Sequence, residues 1–294
     1  MSKFKGLNGH TVGRDMKEMV RQAILAIRQE RQNFETKPKL VNYKHDPNDF
    51  VTSADKAAQA IYVRLIIEGY PDYGIIAEED NLSFPCQFTD VSCTFTVDPL
   101  DGTKAFIRRQ SHGATTMIAL VKDGQAIGAY VGDIHTQEMI GFRPESEKVH
   151  RIYDFDHGVS LEIDKDCSLR DQHLLLRDMP DKYAPIVGRI TEAHFFKDIE
   201  VEGGSIGWWM SRLWTGKVGA GILRPGVQKP WDLAPIVGIS LKLGFSFYEM
   251  AENSLIQLDT TIFNDEVLWR RAVLIVHQSR LDEINELRKL VKSA

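Results

Sequence analysis

Val97-Asp98-Pro99-Leu100-Asp101-Gly102-Thr103 is the stretch on which the reading of this chain turns. Ahead of it Thr94, Phe95, Thr96 and Val97 form an apolar, β-favouring run, and behind it Lys104, Ala105, Phe106 and Ile107 read as a helical turn. Two carboxylates are therefore expected at the end of a buried strand. Pro99 fixes its own φ and offers no N–H, which predicts a stiff turn where Asp98 and Asp101 converge on a point suited to a hard cation. Gly102 permits close backbone approach, and the amides of Gly102 and Thr103 open the following helix, a setting that favours an anion such as phosphate. The same letters also describe an ordinary surface turn with an Asp cap, so the rest of the chain decides.

Upstream, Tyr73 to Ala77 reads as a short strand delivering Glu78-Glu79-Asp80, and adjacent strand ends would bring Glu78 beside Asp98. Before that, Thr52 and Asp55 fit a capping box at the start of a helix carrying Ala57, Ala58, Ile61, Leu65 and Ile66. Asp55 is either that cap alone or a carboxylate that orients a water in a nearby site. Met16, Met19, Val20, Ala23, Ile24 and Ile27 predict an amphipathic helix within 14–35, closed by Lys37-Pro38, with a loop from Asn42 to Asn48.

Downstream, Thr115 to Val121, Ala126 to Val131 and Glu138 to Phe142 read as strands, the first two joined by an Asp123-Gly124 hairpin turn. The polar stretch 143–182 is the expected junction between an α+β half, 1–150, built on an antiparallel sheet, and an α/β half, 151–294. In the second half Ile186 to Gly188, Ile199 to Val201, Gly219 to Leu223 and Leu268 to Val276 read as strands. Ser205 to Leu213, Pro230 to Leu243 and Arg280 to Lys292 read as helices, with the Trp208, Trp209 and Met210 cluster as core. Asp232 stands at the start of the second of these helices, either as a cap or as a further acid for the site.

Composition narrows the function classes. No apolar run approaches the ~20 residues of a membrane helix, and Met1 to Gly6 lacks the apolar core of a secretory signal, so a cytoplasmic protein is expected. Three cysteines, Cys86, Cys93 and Cys167, have no CxxC spacing and indicate neither a disulfide framework nor zinc. With a net charge of −5 and scattered basic residues, a nucleic-acid polymer is not the expected partner. An acidic protein that handles an anionic substrate needs metal ions to hold it.

Asp49-x-Val51-Thr52-x-x-Asp55, Ala77-Glu78-Glu79-Asp80, Val97 to Thr103 with Lys104-x-Phe106, and Trp231-Asp232-x-Ala234 together resemble the successive signatures of the inositol monophosphatase family, over residues 15 to 245. The resemblance implies a lithium-sensitive, Mg2+-dependent phosphomonoesterase with a layered α-β-α-β-α fold, shared with fructose bisphosphatases, acting as a homodimer on a small phosphorylated metabolite. It also implies roles. Glu78, Asp98 and the Leu100 carbonyl would hold one Mg2+, and Asp98, Asp101 and Asp232 a second. Glu78 would share a third, weaker ion, with Glu79 in support. Asp55 and Thr103 would orient the attacking water, Gly102 and Thr103 would bind phosphate through their amides, and Gly204-Ser205 would lie on the leaving-group side.

One departure bears on the substrate. Leu223 to Pro230 carries no acid where inositol-specific members have a glutamate, and Arg224 or Lys229 would instead meet a second anionic group. The expected substrate is an inositol monophosphate-like ester, and this departure makes a 3′(2′),5′-bisphosphate nucleotide or a sugar bisphosphate the alternative. Two competitors stand further off. Gly203-Gly204-Ser205-Ile206-Gly207 matches a serine-hydrolase nucleophile elbow, followed in order by Asp232 and His277. A non-catalytic phosphate-ligand binding protein is the other, although none of Glu78, Asp98, Asp101 or Asp232 is replaced.

Overall fold

A computed structural model describes residues 3–39, 50–183, 185–251, 254–262 and 265–293. The expected loop at Asn42 to Asn48, and Asp49, lie outside the described residues. Helix α1 (Gly9–Glu30) starts earlier and stops sooner than its periodicity suggested, because the Asn8 side chain accepts from the Thr11 amide and caps it there. Strands β1 (Thr36–Pro38) and β2 (Phe50–Thr52) pair antiparallel and lead into α2 (Ser53–Gly69). The Thr52–Asp55 capping box at the start of α2 is formed in both directions.

Next come β3 (Gly74–Ala77), β4 (Ser83–Phe84), β5 (Cys93–Asp101), α3 (Thr103–Ile107), β6 (Thr115–Lys122), β7 (Gln125–Asp133), β8 (Met139–Phe142), β9 (His150–Tyr153) and β10 (His157–Ser160). They form one eight-stranded sheet in the order β10-β9-β8-β7-β6-β5-β3-β4. It is mixed rather than antiparallel, since β3 lies parallel to β5. The turn expected at Pro99 is a strand instead. β5 runs through the proline, and its register with β6 shifts between Asp98 and Asp101. A proline without an N–H is tolerated at such a bulge, which re-aims side chains without ending the strand.

Strand β11 (His173–Leu176) opens the second sheet, followed by α4 (Pro185–Glu192), β12 (Asp198–Val201), α5 (Ile206–Trp214), β13 (Ala220–Leu223), β14 (Gly226–Gln228), α6 (Pro230–Lys242), β15 (Phe245–Ala251), β16 (Ser254–Gln257), β17 (Val267–Trp269), β18 (Val273–His277) and α7 (Leu281–Ser293). Six of these strands pair in the order β12-β11-β13-β18-β15-β16, while β14 pairs with β17. Ile186 to Gly188, expected as a strand, belongs to helix α4, where Ile186, Val187 and Ile190 bury one helical face. The single strand expected over Leu268 to Val276 is two, broken at Arg270 and Arg271, and β15 and β16 carry no sequence expectation at all.

Burial explains the stacking. Ile118, Leu120, Tyr130 and Ile152 face α1 and α2 across the first sheet, while Met117, Ala119, Val131 and Ile140 face α5 and α6. The second sheet presents Leu175, Phe247 and Ile275 to that same helical layer, and Leu174, Ile222 and Leu274 to α4 and α7. The result is the expected layered α-β-α-β-α sandwich, an alternation that pleated strands with apolar residues on both faces require. The first sheet extends to Ser160, and the core beneath α5 and α6 draws on both the first and the second sheet.

Candidate active site

Three elements meet at the bulge of β5: β5 itself, the end of β3 and the start of α6. Carboxylate oxygens of Asp98, Asp101 and Asp232 lie within 4.8 Å of one another, the first buried and the other two partly so. The pairing of β3 with β5 puts Ala77 opposite Val97, so Glu78 emerges beside Asp98, and Asp232 arrives in the first turn of α6. Burial pushes the Asp98 carboxyl well above the usual range, and the charges of Glu78, Asp101 and Asp232 push it further. Burial and Asp101 likewise raise Asp232 to about 7. Crowded, desolvated carboxylates repel one another until a cation is present, so this donor set fits a hard divalent ion.

The acids differ in how they are fixed. Asp98 Oδ1 accepts from the Leu100 amide at 3.0 Å. Asp101 accepts from Ser205 Oγ at 2.5 Å, from Thr115 Oγ1 at 3.1 Å, and from the amides of Ile206 and Gly207 at 3.1 and 2.7 Å. Burial raises the pKa of Asp101, and those donors oppose the rise. Glu78 and Glu79 are both held by Lys39, whose Nζ lies 2.6 and 2.9 Å from their carboxylates. Burial alone would lower the pKa of Lys39, yet the two glutamates outweigh it and hold the lysine charged. Burial and Glu78 raise Glu79 to about 8, and Gln59 clamps its backbone at both the amide and the carbonyl.

Asp55 is wholly buried, and burial lifts it to about 6 against the bonds it accepts from Thr52. Its other oxygen accepts from Thr103 Oγ1 at 3.1 Å, and the same hydroxyl lies 3.0 Å from the Leu100 carbonyl. Asp55 therefore has no surface of its own toward solvent, and Thr103 stands between it and the open space. That space is a cleft of about 590 Å3 lined by Gly102, Thr103, Lys104, Arg108, Arg177 and Arg224 among others. Gly102 has φ +89°, and a Cβ there would come within 2.2 Å of the Gly113 carbonyl, so only glycine lets the chain turn at the cleft wall.

The substrate-side residues are less uniform. Arg224 lines the cleft, paired with Asp178 at 3.1 Å. Lys229 is paired with Glu266 and lies over the Trp231 ring. Gly204 lines the cleft, and its carbonyl accepts from Arg177. Ser205 is fully buried: its oxygen caps α5 by accepting from the Trp208 amide at 2.9 Å and lies 2.8 Å from Thr115 Oγ1. That arrangement rules out the nucleophile elbow. The ring nitrogens of His277 face the Leu243 carbonyl and Ser279 Oγ at 3.0 and 2.8 Å, which leaves neither for Ser205. Trp208, expected in the core, is only partly buried and lies against His112 of the cleft, the ring centroids 5.0 Å apart and the planes tilted by 41°.

Sequence reasoning missed Lys39, Thr115 and Arg177. Arg177 follows directly on β11 and lowers the pKa of both Asp101 and Asp232, so the strand-end signal that found Asp98 would also have found it. Lys39 carried no such signal, because its partners are set by the fold alone.

Residues 12–154 match the model of the inositol monophosphatase family. The chain is 27% identical over 203 residues to the Nus factor SuhB of Escherichia coli K12, covering 69% of this chain and 72% of that protein. Among solved structures, a staphylococcal IMPase-I superposes with a TM-score of 0.71 at 18% identity, over 97% of this chain and 96% of the other. SuhB from Bartonella henselae does so with a TM-score of 0.68 at 17% identity, over 95% and 98%. An IMPase/NADP phosphatase complexed with Mg2+ and phosphate gives 0.71 at 18%, over 97% and 96%. Residues 12–154 thus resemble the inositol monophosphatase family, and the fold of these solved structures is shared over 95–97% of the chain.

Proposed function

We propose that this chain is a Mg2+-dependent phosphatase that hydrolyses a small phosphate monoester by direct attack of water. The observation that carries the reading is the convergence of Asp98, Asp101 and Asp232 in a desolvated group whose protons are held above their ordinary range. Asp98, Asp101 and Asp232 would hold one cation, and Glu78, Asp98 and the Leu100 carbonyl another. When bound, such ions neutralise phosphate charge and lower the pKa of coordinated water. The relative complexed with Mg2+ and phosphate holds the pair of ligands that this donor set and cleft are suited to.

The rest of the work falls to side chains. Thr103 lines the cleft and donates to Asp55, so a proton from the attacking water passes to the Thr103 oxygen as Thr103 hands its own to Asp55. Asp55, raised to about 6, is a stronger base than an exposed aspartate and accepts that proton more readily. The amides of Gly102 and Thr103 receive phosphate oxygens. Because α3 has only five residues, local N–H groups supply this contact rather than a long helix dipole. Ser205 acts on the site from behind, by fixing Asp101.

A doubly anionic ester, such as a bisphosphate nucleotide or sugar bisphosphate, is the second reading. Lys104, Arg108, Arg177 and Arg224 around one cleft favour it. From the resemblance we infer a cytoplasmic homodimer acting on a small metabolite. The test is phosphate release from inositol monophosphates, adenosine 3′,5′-bisphosphate and fructose 1,6-bisphosphate, each with Mg2+ and with excess EDTA. Chelator-sensitive release from any one supports the phosphatase, its preference ranks the two readings, and no release across the panel rejects both for these esters.

A further inference from the structure

A second cleft, of about 440 Å3, lies where α1 crosses β7, β8 and β9. Its size falls in the range of small-molecule sites. Two glycines set how its walls pack. Gly13 lets α1 settle onto Arg143, since a Cβ at Gly13 would come within 2.3 Å of the Arg143 Cβ. Gly141 stands between Tyr130 and His150 in a row of three paired residues, and the Tyr130 ring fills the room a side chain there would take, 2.4 Å from where a Cβ would be.

The walls are basic. His10, Arg14 and Lys17 project from one face of α1 at i, i+4 and i+7, and Arg143 and His150 come from the sheet. Asp156 is the one carboxylate in the lining, and it also interacts with Arg21. Arg14 shares its charge with Asp15 at 3.0 Å, and Arg143 donates to the Pro144 carbonyl. Lys17, His10 and His150 have no ion pair among the described residues. The N-terminus of α1 is already satisfied by Asn8 and by Glu145, which accepts from the Gly9 amide at 3.3 Å, so it adds nothing to the site.

Tyr130 adds a donor to the lining. Only 4% of it is exposed, yet its hydroxyl has no hydrogen-bond partner among the described residues, and it faces this cleft. The ring is buried but the phenol oxygen reaches the open cleft, where it can donate to a group seated among the basic side chains. We propose that the cleft between α1 and β7–β9 binds a small phosphate-bearing anion, gripped by Lys17, Arg143 and His150 and oriented by the Tyr130 hydroxyl. Three permanent cations facing one carboxylate select an anion, and a phenol donor among cations suits a phosphate oxygen. This site is separate from the acid-lined cleft and does not depend on the phosphatase reading.

His150 is also a reporter. Burial lowers its pKa, and Lys148, Arg143 and Lys17 lower it further, so an anion seated among these groups would raise it. The experiment titrates the full chain with pyrophosphate in EDTA, by calorimetry and by NMR of the His150 ring. Expected are a displaced His150 resonance with an upward-moving pKa, a Kd weakened roughly tenfold in Lys17→Ala, and one weakened about threefold in Tyr130→Phe. Tyr130→Phe removes one oxygen and keeps the core intact, so its result does not hinge on folding. Arg177→Ala, in the other cleft, leaves the His150 response unchanged. The proposal is overturned if His150 does not respond at millimolar pyrophosphate, or if both cleft variants bind as the parent does.

Discussion

The two clefts are built on opposite plans. In one, carboxylates from β3, β5 and α6 are pressed together and desolvated, so that only a cation relieves them. In the other, cations from α1 and the sheet surround a phenol that opens onto the cleft. The acid cleft is a strained arrangement held by many donors, with four on Asp101 alone. The basic cleft is an open space between α1 and the sheet, and its charges keep access to water. A site that stores repulsion costs stability until it is filled, whereas a solvated basic site costs little.

The sharpest way to break that comparison is Asp98→Asn. If the acids are the reaction centre, turnover with Mg2+ falls ~10³-fold or more, while the midpoint of thermal unfolding in EDTA rises because one of the crowded acids no longer competes for a charge there. A stable variant with intact turnover would remove the contrast. The pH dependence of the metal-free protein comes next. Asp232 holds its proton to about 7 when folded but gives it up near 3.8 when unfolded. The folded state binds more protons across that window, so stability falls as pH rises through it, on the order of a few kcal/mol. His277, lowered by burial, has the opposite sign: the unfolded chain takes up the extra proton, so stability falls as pH drops through 6.5. Three coupled acids outweigh one histidine. Urea midpoints in EDTA between about pH 4 and 7 should therefore decline with rising pH, and saturating Mg2+ should flatten the decline.

Smaller effects sharpen the picture. Ser205→Ala deletes the cap of α5 and one donor to Asp101, and should lower stability by about 1–3 kcal/mol in urea titration. A nucleophilic serine would instead give a stable, inactive variant. Arg224→Ala breaks an exposed pair with Asp178, so it should change stability by less than about 1 kcal/mol. Its effect belongs in KM for a doubly anionic ester, with KM for a singly phosphorylated one little changed.

The same contrast explains what was legible in the chain. Each acid of the first cleft sits at the end of a strand or the start of a helix, and such ends leave short local signatures, as in Thr52 to Asp55 and Val97 to Thr103. The helices α1, α2, α5 and α6 were likewise visible from their apolar spacing. What local pattern could not show was the bulge that carries β5 past Pro99, because the pairing partner, Thr115 opposite Asp101, decides it. Ile186-Val187 reads equally as strand or helix until Ile190 is seen to share its buried face. The basic cleft was invisible for the same reason. His10, Tyr130 and His150 are far apart in sequence and meet only once α1 lies on the sheet.

Asp101 carries one further consequence. Its carboxylate is the acceptor for the first amides of α5, so a residue of the first sheet also fastens a helix that packs against the second. Loosening of that helix is felt at the carboxylate cluster before the strands themselves separate. Catalytic output should then act as an early gauge of the middle layer, fading on warming while the spectroscopic signature of the sheets is still complete.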